Sequence, residues 1–358
     1  MTTTKPFLIF AVPTWNRVRE LEVCLRSIAQ QTTHQIRTIK IYVQDDCSTD
    51  GTKEAVEALQ REYPDLITYT CTNQRVDYSN AFRALFSSVD ADWVWTFGDD
   101  DMLLPGSLDR MIPVLAETDC EFIHCVERGR EAGTDRMYRG KLLALCNTFG
   151  WLDMTGFITC NITRGYALNE AAESPRWKQY AKSSFVQSCA LLEILKDSQA
   201  ALMDVPLVAT QNANQTQECV DRWTADKIGP RYNFMGDCID LMMDDGVLTG
   251  KVRPVFFRYQ NYHLWDRHMT YYTNDYLSNG VFNPPDSWAA QTKLCRFVDD
   301  EAFSGEVVND IETVRGLIHL HGYLSMQAAE LRTQIEELKA KHEESPYPWA
   351  YVVPRQLR

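Results

Sequence analysis

The sequence lacks several features of secreted, membrane-embedded and nucleic-acid-binding proteins. Its 358 residues include 11 cysteines but no CxxC pair, so neither a structural zinc site nor a disulfide framework is indicated. No apolar run approaches the roughly 18 residues that a bilayer-spanning helix needs. Lys and Arg number 36 against 49 Asp and Glu, and this net charge of −13 gives no general attraction to nucleic acid.

The polar N-terminus leads directly into an apolar segment, and the scattered cysteines read as free thiols. We therefore expect no signal peptide and a cytoplasmic protein. A role at a membrane would require binding at the surface of its inner face.

Apolar strand-like segments and amphipathic helix-like segments alternate over the first 127 residues. This alternation predicts an α/β fold with a mostly parallel sheet flanked by helices. In such sheets, ligands bind beyond the carboxyl ends of the strands. The loops expected at that edge are 13–17, 45–51, 73–77 and 98–105.

The pattern is less regular after residue 127. It predicts a strand at 155–163, a helix at 185–195, and two short strands within 200–211 that are separated at Pro206. This region is interpreted as a continuation of the same domain.

From about residue 230 the spacing of apolar residues becomes helical. We therefore expect a first domain at 1–215 and a helical extension at 216–358. The extension either packs on the first domain or forms a homodimer contact.

The strongest chemical signal is an acidic triplet, Asp99, Asp100 and Asp101, directly after a strand. Three adjacent carboxylates repel one another and raise each other's pKa unless a cation compensates. Apolar segments flank the triplet on both sides, so the cluster is expected to be half-buried. Oxygen ligands of this kind suit Mg²⁺ or Mn²⁺. The alternative is a solvated acidic turn.

Two further loops carry weaker signals. Asp45 and Asp46 follow the second strand and can accept hydrogen bonds from a base or a ribose. The alternative, a helix cap made by Ser48 or Asp50, explains Asp50 and Thr52 but not Asp45 and Asp46. The loop at 13–17 contains an aromatic ring and an arginine that can pair with phosphate, although alone it reads as an ordinary turn.

Taken together, the three loops resemble a known family. The segments 13–17 (PTWNR), 45–52 (DDCSTDGT) and 99–101 (DDD) match, in order and separation, three motifs of the family-2-type glycosyltransferases with the GT-A fold. The resemblance covers residues 6–127 well and 128–215 loosely. Within the family, the GDDD context followed by Pro105 is similar to transferases of bacterial surface polysaccharides, including the abequosyltransferase-like group.

The resemblance implies a role for each matching position. Pro13, Thr14 and Trp15 would line the nucleobase pocket, and Asp45 or Asp46 would form a hydrogen bond with the base. The remaining nucleotide-site positions are Arg17, Asn80, Arg83 and, facing the ribose, Asp99. Asp100, together with Asp101, would hold Mn²⁺ or Mg²⁺ on the diphosphate.

Members of this family invert the anomeric centre and need one general base. Many carry Glu-Asp just before the helix predicted at 185–195, but this chain has Ser183-Ser184 there. The nearest upstream carboxylates are Asp153 and Glu173. Each is equally well explained as a surface acid.

The resemblance implies a metal-dependent, hexosyltransferase-like enzyme that moves a sugar from a nucleotide-sugar donor to a saccharide acceptor. The acceptor would be lipid-linked, in the synthesis of O-antigen or capsule. One alternative is a sugar-phosphate nucleotidyltransferase, but the loop at 13–17 lacks the glycine-rich, basic character that this class requires. Another is an inactive nucleotide-sugar-binding module, which the missing Glu-Asp pair favours and the acidic triplet opposes.

Overall fold

A computed structural model of the protein describes residues 5–32, 37–128, 136–149, 151–183, 185–211, 238, 240–248 and 333. Within these residues, a nine-stranded sheet is covered on both faces by helices. The predicted α/β class is therefore confirmed.

Strands and helices alternate along the chain as the sequence predicts for its first part. In chain order the elements are β1 (Leu8–Thr14), α1 (Val18–Thr32), β2 (Ile39–Asp45), α2 (Thr52–Glu62), β3 (Ile67–Cys71), α3 (Tyr78–Ser88), β4 (Trp93–Thr96), β5 (Asp101–Leu103), α4 (Ser107–Glu117), β6 (Phe122–Glu127), β7 (Met137–Lys141), α5 (Leu142–Phe149), α6 (Trp151–Thr155), a 3₁₀ turn (Ile158–Cys160), β8 (Asn161–Arg164), α7 (Gly165–Ala172), α8 (Trp177–Tyr180), α9 (Val186–Leu195) and β9 (Gln199–Thr210).

The sheet is parallel in its first half and mixed in its second. Strands β3, β2, β1 and β4 lie side by side in parallel. Strand β8 is antiparallel to both β4 and β6, while β6 runs parallel to β9. Because β8 runs against β4, the start of β8 lies at the carboxyl edge of β4. This reversal brings the 3₁₀ turn to the edge where ligands are expected.

Strand β1 contributes to two separate cores. Ile9 and Ala11 pack in the core on one face of the sheet, whereas Leu8, Phe10 and Val12 pack in the core on the other. A strand buried on both faces reads as a continuous apolar run because neither set of alternating side chains faces water. The apolar run at the start of the sequence is therefore explained by its central position.

The prediction of two short strands within 200–211 is wrong. Strand β9 is continuous through Pro206 and pairs with β6 along its length. The register shifts near Pro206, where Val126 pairs with Pro206 and Glu127 with Val208. Proline cannot donate a ladder hydrogen bond, so a bulge lets the strand pass through it without ending.

Two other expectations are corrected. The segment 155–163 is mostly not a strand, since α6 and the 3₁₀ turn occupy its first part and β8 begins at Asn161. The sequence does not predict strand β5, which pairs with β9, because this strand begins at Asp101 inside the acidic triplet. A charged residue at the start of so short a strand hides its apolar pattern. The acidic triplet is therefore anchored to the sheet at its end.

The helical extension lies almost wholly outside the described residues, so the boundary near residue 215 and the homodimer contact stay predictions. In the part of the chain that the structure describes, none of the helices combines the length and the apolar character needed to cross a bilayer.

Thr163→Val in β8 is expected to stabilise the protein. The Thr163 side chain is buried, and its Oγ1 has no hydrogen-bond partner among the described residues. Removing a buried unpaired hydroxyl while keeping the side-chain shape should raise the free energy of unfolding by about 1 kcal/mol. Chemical denaturation measures this difference.

The matched control is Thr155→Val. Its Oγ1 donates to the Trp151 carbonyl at 2.7 Å. The loss of this bond should lower the free energy of unfolding by roughly 1 kcal/mol. Equal destabilisation by both substitutions would contradict the assignment of an unpaired hydroxyl at Thr163.

Candidate active site

The loops after β1, β2 and β4 lie together at one edge of the sheet. Thr14 and Asp45 are register partners at the ends of β1 and β2, and the Asp46 amide donates to the Thr14 carbonyl at 2.9 Å. The Phe97 amide, just after β4, donates to the Ala11 carbonyl at 2.9 Å. The structure therefore brings the three motifs to one place, as the parallel sheet predicts.

The loop after β1 is held by the loop after β2. Asn16 has a positive φ of 50°, its amide donates to Ser48 Oγ at 2.8 Å, and its side-chain oxygen accepts from the Thr49 amide at 2.8 Å. Asp50 accepts from the Val18 amide at the start of α1, at 2.9 Å. The N-cap residue of α2 is Gly51, without a side-chain cap bond, so the expected cap by Ser48 or Asp50 is wrong. Ser48 and Asp50 instead fix the first loop.

Asp45 is buried and fully engaged within the protein. Its Oδ1 accepts from the Ser48 amide at 2.9 Å and from the Ser48 hydroxyl at 2.6 Å. Its Oδ2 accepts from the Tyr69 hydroxyl at 2.5 Å. Burial and the Asp45 carboxylate raise the pKa of Tyr69, so this phenol remains a hydrogen-bond donor. Asp45 therefore organises the loop from inside.

Asp46 is engaged on one side only. Its Oδ1 accepts from the Val76 amide at 2.8 Å and from the Thr72 hydroxyl at 3.2 Å. Its Oδ2 accepts no hydrogen bond from the described residues. Asp46 therefore tethers the loop after β3 through one carboxylate oxygen.

The predicted aromatic position, Trp15, carries an arginine on its face. The guanidinium carbon of Arg75 lies 3.4 Å from the centre of the indole ring. This cation–π contact closes the space between the loops after β1 and β3. Pro13, which ends the apolar part of β1, is partly exposed beside it.

Arg17 bridges the first two carboxylates of the acidic triplet. Its Nη1 lies 2.8 Å from Asp99 Oδ1 and 2.7 Å from Asp100 Oδ2. Thr14 Oγ1 donates to the other Asp99 oxygen at 2.8 Å. Burial raises the pKa of Asp99 to about 6, although the Arg17 charge opposes the shift. The pairing of Arg17 with phosphate stays a prediction.

The three carboxylates differ in exposure. The Asp100 side chain is 45% exposed, whereas Asp101 is 2% exposed and accepts a hydrogen bond from the Thr159 hydroxyl. Burial, and next the Asp100 charge, raises the pKa of Asp101 to about 8. Among the described residues, no group of three or more His, Cys, Asp or Glu is arranged to hold a metal ion. Metal binding by Asp101 stays a prediction, which its buried position disfavours.

Two predicted positions on α3 have other partners. The backbone amide of Asn80 donates to Oδ1 of Asp77, the residue that caps α3, at 3.0 Å. Arg83 Nε donates to the Ala172 carbonyl at 2.8 Å and so ties α3 to the end of α7. Their contact with a donor stays a prediction, and the bonds described here are structural.

The general base remains unassigned. Asp153 lies within α6, but its side chain is outside the described part of the structure. Glu173 ends α7 and is exposed, while Ser183 is buried and donates to the Tyr180 carbonyl at 2.8 Å. The proposed roles of Asp153 and Glu173 as bases therefore stay predictions.

Three contributors were missed by the sequence analysis: Tyr69, Arg75 and Thr159. Arg75 lies in the loop 73–77, which is expected at the ligand-binding edge, so its positive charge in that loop could have marked it as a site residue. Tyr69 and Thr159 act through contacts with residues 24 and 58 positions away in the chain, and no local pattern marks such contacts.

Residues 9–173 match the family described as Glycosyl transferase family 2. This segment is a family 2 glycosyltransferase domain. The resemblance inferred from the three motifs is therefore confirmed, and the domain contains every predicted site residue, including Asp153 and Glu173.

Two curated relatives are glycosyltransferases by their names. Abequosyltransferase RfbV of Salmonella typhimurium is 35% identical over 99 residues, which is 28% of this chain and 29% of that protein. The GalNAc(5)-diNAcBac-PP-undecaprenol beta-1,3-glucosyltransferase of Campylobacter jejuni is 30% identical over 107 residues, or 30% of this chain and 34% of that protein. The chain thus matches about a third of the length of these relatives.

Solved structures of the same fold confirm the GT-A-like architecture. TarS 1-349 of S. aureus in complex with UDP has a TM-score of 0.56 and 13% identity, over 90% of this chain and 91% of that one. The complex of TarS 1-349 with UDP-GlcNAc has a TM-score of 0.53 and 14% identity, over 83% and 82%. At such low identity, this likeness concerns the fold alone.

The raised pKa values of Asp99 and Asp101 predict that the metal-free protein loses stability as the pH rises. Unfolded carboxyl groups ionise near pH 4. Between about pH 4 and pH 8 the unfolded chain therefore binds fewer protons than the folded protein, and the free energy of unfolding falls. Asp101→Asn should flatten this fall, because it removes the group with the larger shift.

Denaturation in the presence of a chelator, from about pH 5 to about pH 8, measures both slopes. The control is Glu117→Gln, which removes one exposed carboxylate at the end of α4. An identical slope in the wild type and in Asp101→Asn would contradict the assignment of the proton to Asp101.

Proposed function

We propose that the protein is a glycosyltransferase that moves a sugar from a nucleotide-sugar donor to a saccharide acceptor. The carrying observation is the edge of the family 2 domain, where Asp46, Trp15 and Asp100 converge from three loops. The aromatic ring of Trp15 suits stacking on a base, and the available oxygen of Asp46 suits the N–H groups of that base. The exposed carboxylate of Asp100 suits a cation bound to a diphosphate.

Asp46, rather than Asp45, is the residue proposed to bond the base. Both oxygens of Asp45 accept hydrogen bonds from Ser48 and Tyr69. Asp46 Oδ2 accepts no hydrogen bond from the described residues, so this oxygen is available to the N–H groups of a base. Trp15 and Pro13 would line the same pocket, and Asp99, held by Thr14, would face the ribose.

The acidic triplet fits a divalent ion that takes part of its coordination from the substrate. Asp100 supplies one exposed carboxylate, and the described residues do not form a complete protein cage. Mg²⁺ characteristically uses one or two carboxylates plus phosphate oxygens and water. When bound, Mn²⁺ or Mg²⁺ would neutralise charge on the leaving diphosphate. Asp100 is the proposed ligand, and Arg17 would lie beside it, within reach of the same phosphates.

The acceptor and the location are proposed from the names of the relatives. One relative acts in abequose transfer and another on an undecaprenol-linked saccharide. We therefore propose a polyprenyl-linked saccharide acceptor in the synthesis of O-antigen or capsule, on the cytoplasmic face of the membrane. Asp153 and Glu173 are the candidates for the base that takes the acceptor proton.

The first test is binding of nucleoside diphosphates to the purified full chain. Titration calorimetry with UDP, GDP, CDP and dTDP, each with and without MnCl₂, should give one preferred base and tighter binding with the metal. If none of the four binds in either condition, the proposal is overturned. Release of the nucleoside diphosphate from its sugar derivative in the presence of acceptor would then identify transfer, whereas pyrophosphate formation would identify a nucleotidyltransferase.

Asp100→Asn should remove most of the gain that Mn²⁺ gives to nucleotide binding, a loss of about tenfold or more in affinity. Its fold should persist, since the Asp100 side chain is half exposed. Glu117→Gln, which removes an exposed carboxylate far from the triplet, should bind like the wild type. An unchanged metal effect in Asp100→Asn would refute the role of this carboxylate.

Asp46→Asn should weaken nucleotide binding by roughly tenfold whether or not Mn²⁺ is present. The amide can keep the bonds that Oδ1 accepts from the loop after β3, but it loses the charge that strengthens a bond to the base. Calorimetry distinguishes the metal-independent loss at Asp46 from the metal-dependent loss at Asp100. Unaltered affinity in Asp46→Asn would remove it from the base pocket.

A further inference from the structure

Thr159, in the 3₁₀ turn before β8, makes one hydrogen bond with β4 and two with the acidic loop. The Trp95 indole nitrogen donates to the Thr159 carbonyl at 2.8 Å, and the Gly98 amide donates to Thr159 Oγ1 at 2.9 Å. The same hydroxyl donates to Asp101 Oδ2. Thr159 is fully buried, so its hydroxyl is not exposed to solvent and is bonded to Gly98 and Asp101.

Gly98 allows the Asp101 carboxyl to approach the backbone closely. A Cβ atom at Gly98 would lie 2.5 Å from Asp101 Oδ2 and 3.1 Å from Thr159 Oγ1. The first distance is too short for any side chain, so Asp101 would have to leave its position. The hydroxyl and the carboxyl therefore fit together only because residue 98 lacks a side chain.

These bonds enclose Asp99 and Asp100 on both sides. Gly98, before them, is tied to Thr159, and Asp101, after them, is tied to the same hydroxyl. Two residues held between anchored neighbours have few backbone conformations left, which reduces the entropy lost when a ligand binds. Asp99 then meets Thr14, and Asp100 is left facing outward.

We propose that Thr159 is a positioning residue of the nucleotide site, which sets the pose of Asp99 and Asp100 through Gly98 and Asp101. This inference rests on the proposed function, since it assigns to Thr159 the preorganisation of that same site. Thr159 itself is buried behind the loop and makes no contact with a ligand. Its effect is on affinity for the diphosphate.

The test compares Thr159→Val, Thr159→Ser and Thr163→Val. Thr159→Val keeps the shape but removes the hydroxyl, so affinity for the preferred nucleoside diphosphate with MnCl₂ should fall about tenfold. Thr159→Ser keeps the hydroxyl and should bind within about threefold of the wild type. Thr163→Val removes a buried hydroxyl that lies four residues further along the chain and has no partner in the described part of the structure, so the affinity of this variant should be unchanged.

A merely structural role would lower the melting temperature of Thr159→Val and leave the affinity of the folded protein as in the wild type; that result would overturn the inference. Rescue by serine supports it, since serine restores the bonds but not the methyl packing. Should Thr159→Val not fold, Gly98→Ala tests the same arrangement by pushing Asp101 away from the hydroxyl. It should reproduce the tenfold loss, and wild-type affinity would refute the proposal.

Hydrogen exchange separates this inference from the proposed function. In the absence of any nucleotide, amides at 98–101 should exchange faster in Thr159→Val than in Thr159→Ser or Thr163→Val. If the wild type binds no nucleoside diphosphate, the function fails, while the exchange rates still decide whether Thr159 holds the loop. Equal exchange in all three variants would show that it does not.

Discussion

The burial of carboxylates at the carboxyl edge of the sheet is the constraint on which the site depends. Asp45, Asp99 and Asp101 are each nearly inaccessible to water, where an unpaired charge is costly. Each is met by a donor from a segment distant in the chain, and for Asp101 this donor is Thr159. Arg17 joins the loops after β1 and β4, Tyr69 ties Asp45 to β3, and Thr159 ties Asp101 to the 3₁₀ turn.

The adjacent acids differ from one another in both loops. In the first pair, both oxygens of Asp45 accept hydrogen bonds within the protein, while Asp46 accepts from the described residues through Oδ1 alone. In the triplet, Asp101 is buried against Thr159 while Asp100 faces outward. Hydrogen bonding distinguishes Asp45 from Asp46, since both residues are buried, whereas exposure distinguishes Asp101 from Asp100. A binding role for Asp46 and Asp100 is the proposal that follows from these differences.

The family and the geometry support different parts of the functional proposal. The match over 9–173 identifies a family 2 domain, and the fold agrees with that of TarS. The match covers about a third of each curated relative, so the donor and the acceptor are part of the proposal. The arrangement of Asp46, Trp15 and Asp100 adds a chemical argument that a family match alone lacks, because it shows which carboxylates are bonded within the protein and which one is exposed.

The sequence by itself determined the α/β class, the order of the first elements and the meeting of three motifs at one edge, since apolar periodicity and strand polarity are local properties. It could not show that β8 is antiparallel or that β9 passes through Pro206, because pairing depends on distant partners. Nor could it separate Asp45 from Asp46, or Asp100 from Asp101. Identical side chains adjacent in the chain differ only in what surrounds them, and tertiary packing alone supplies those surroundings.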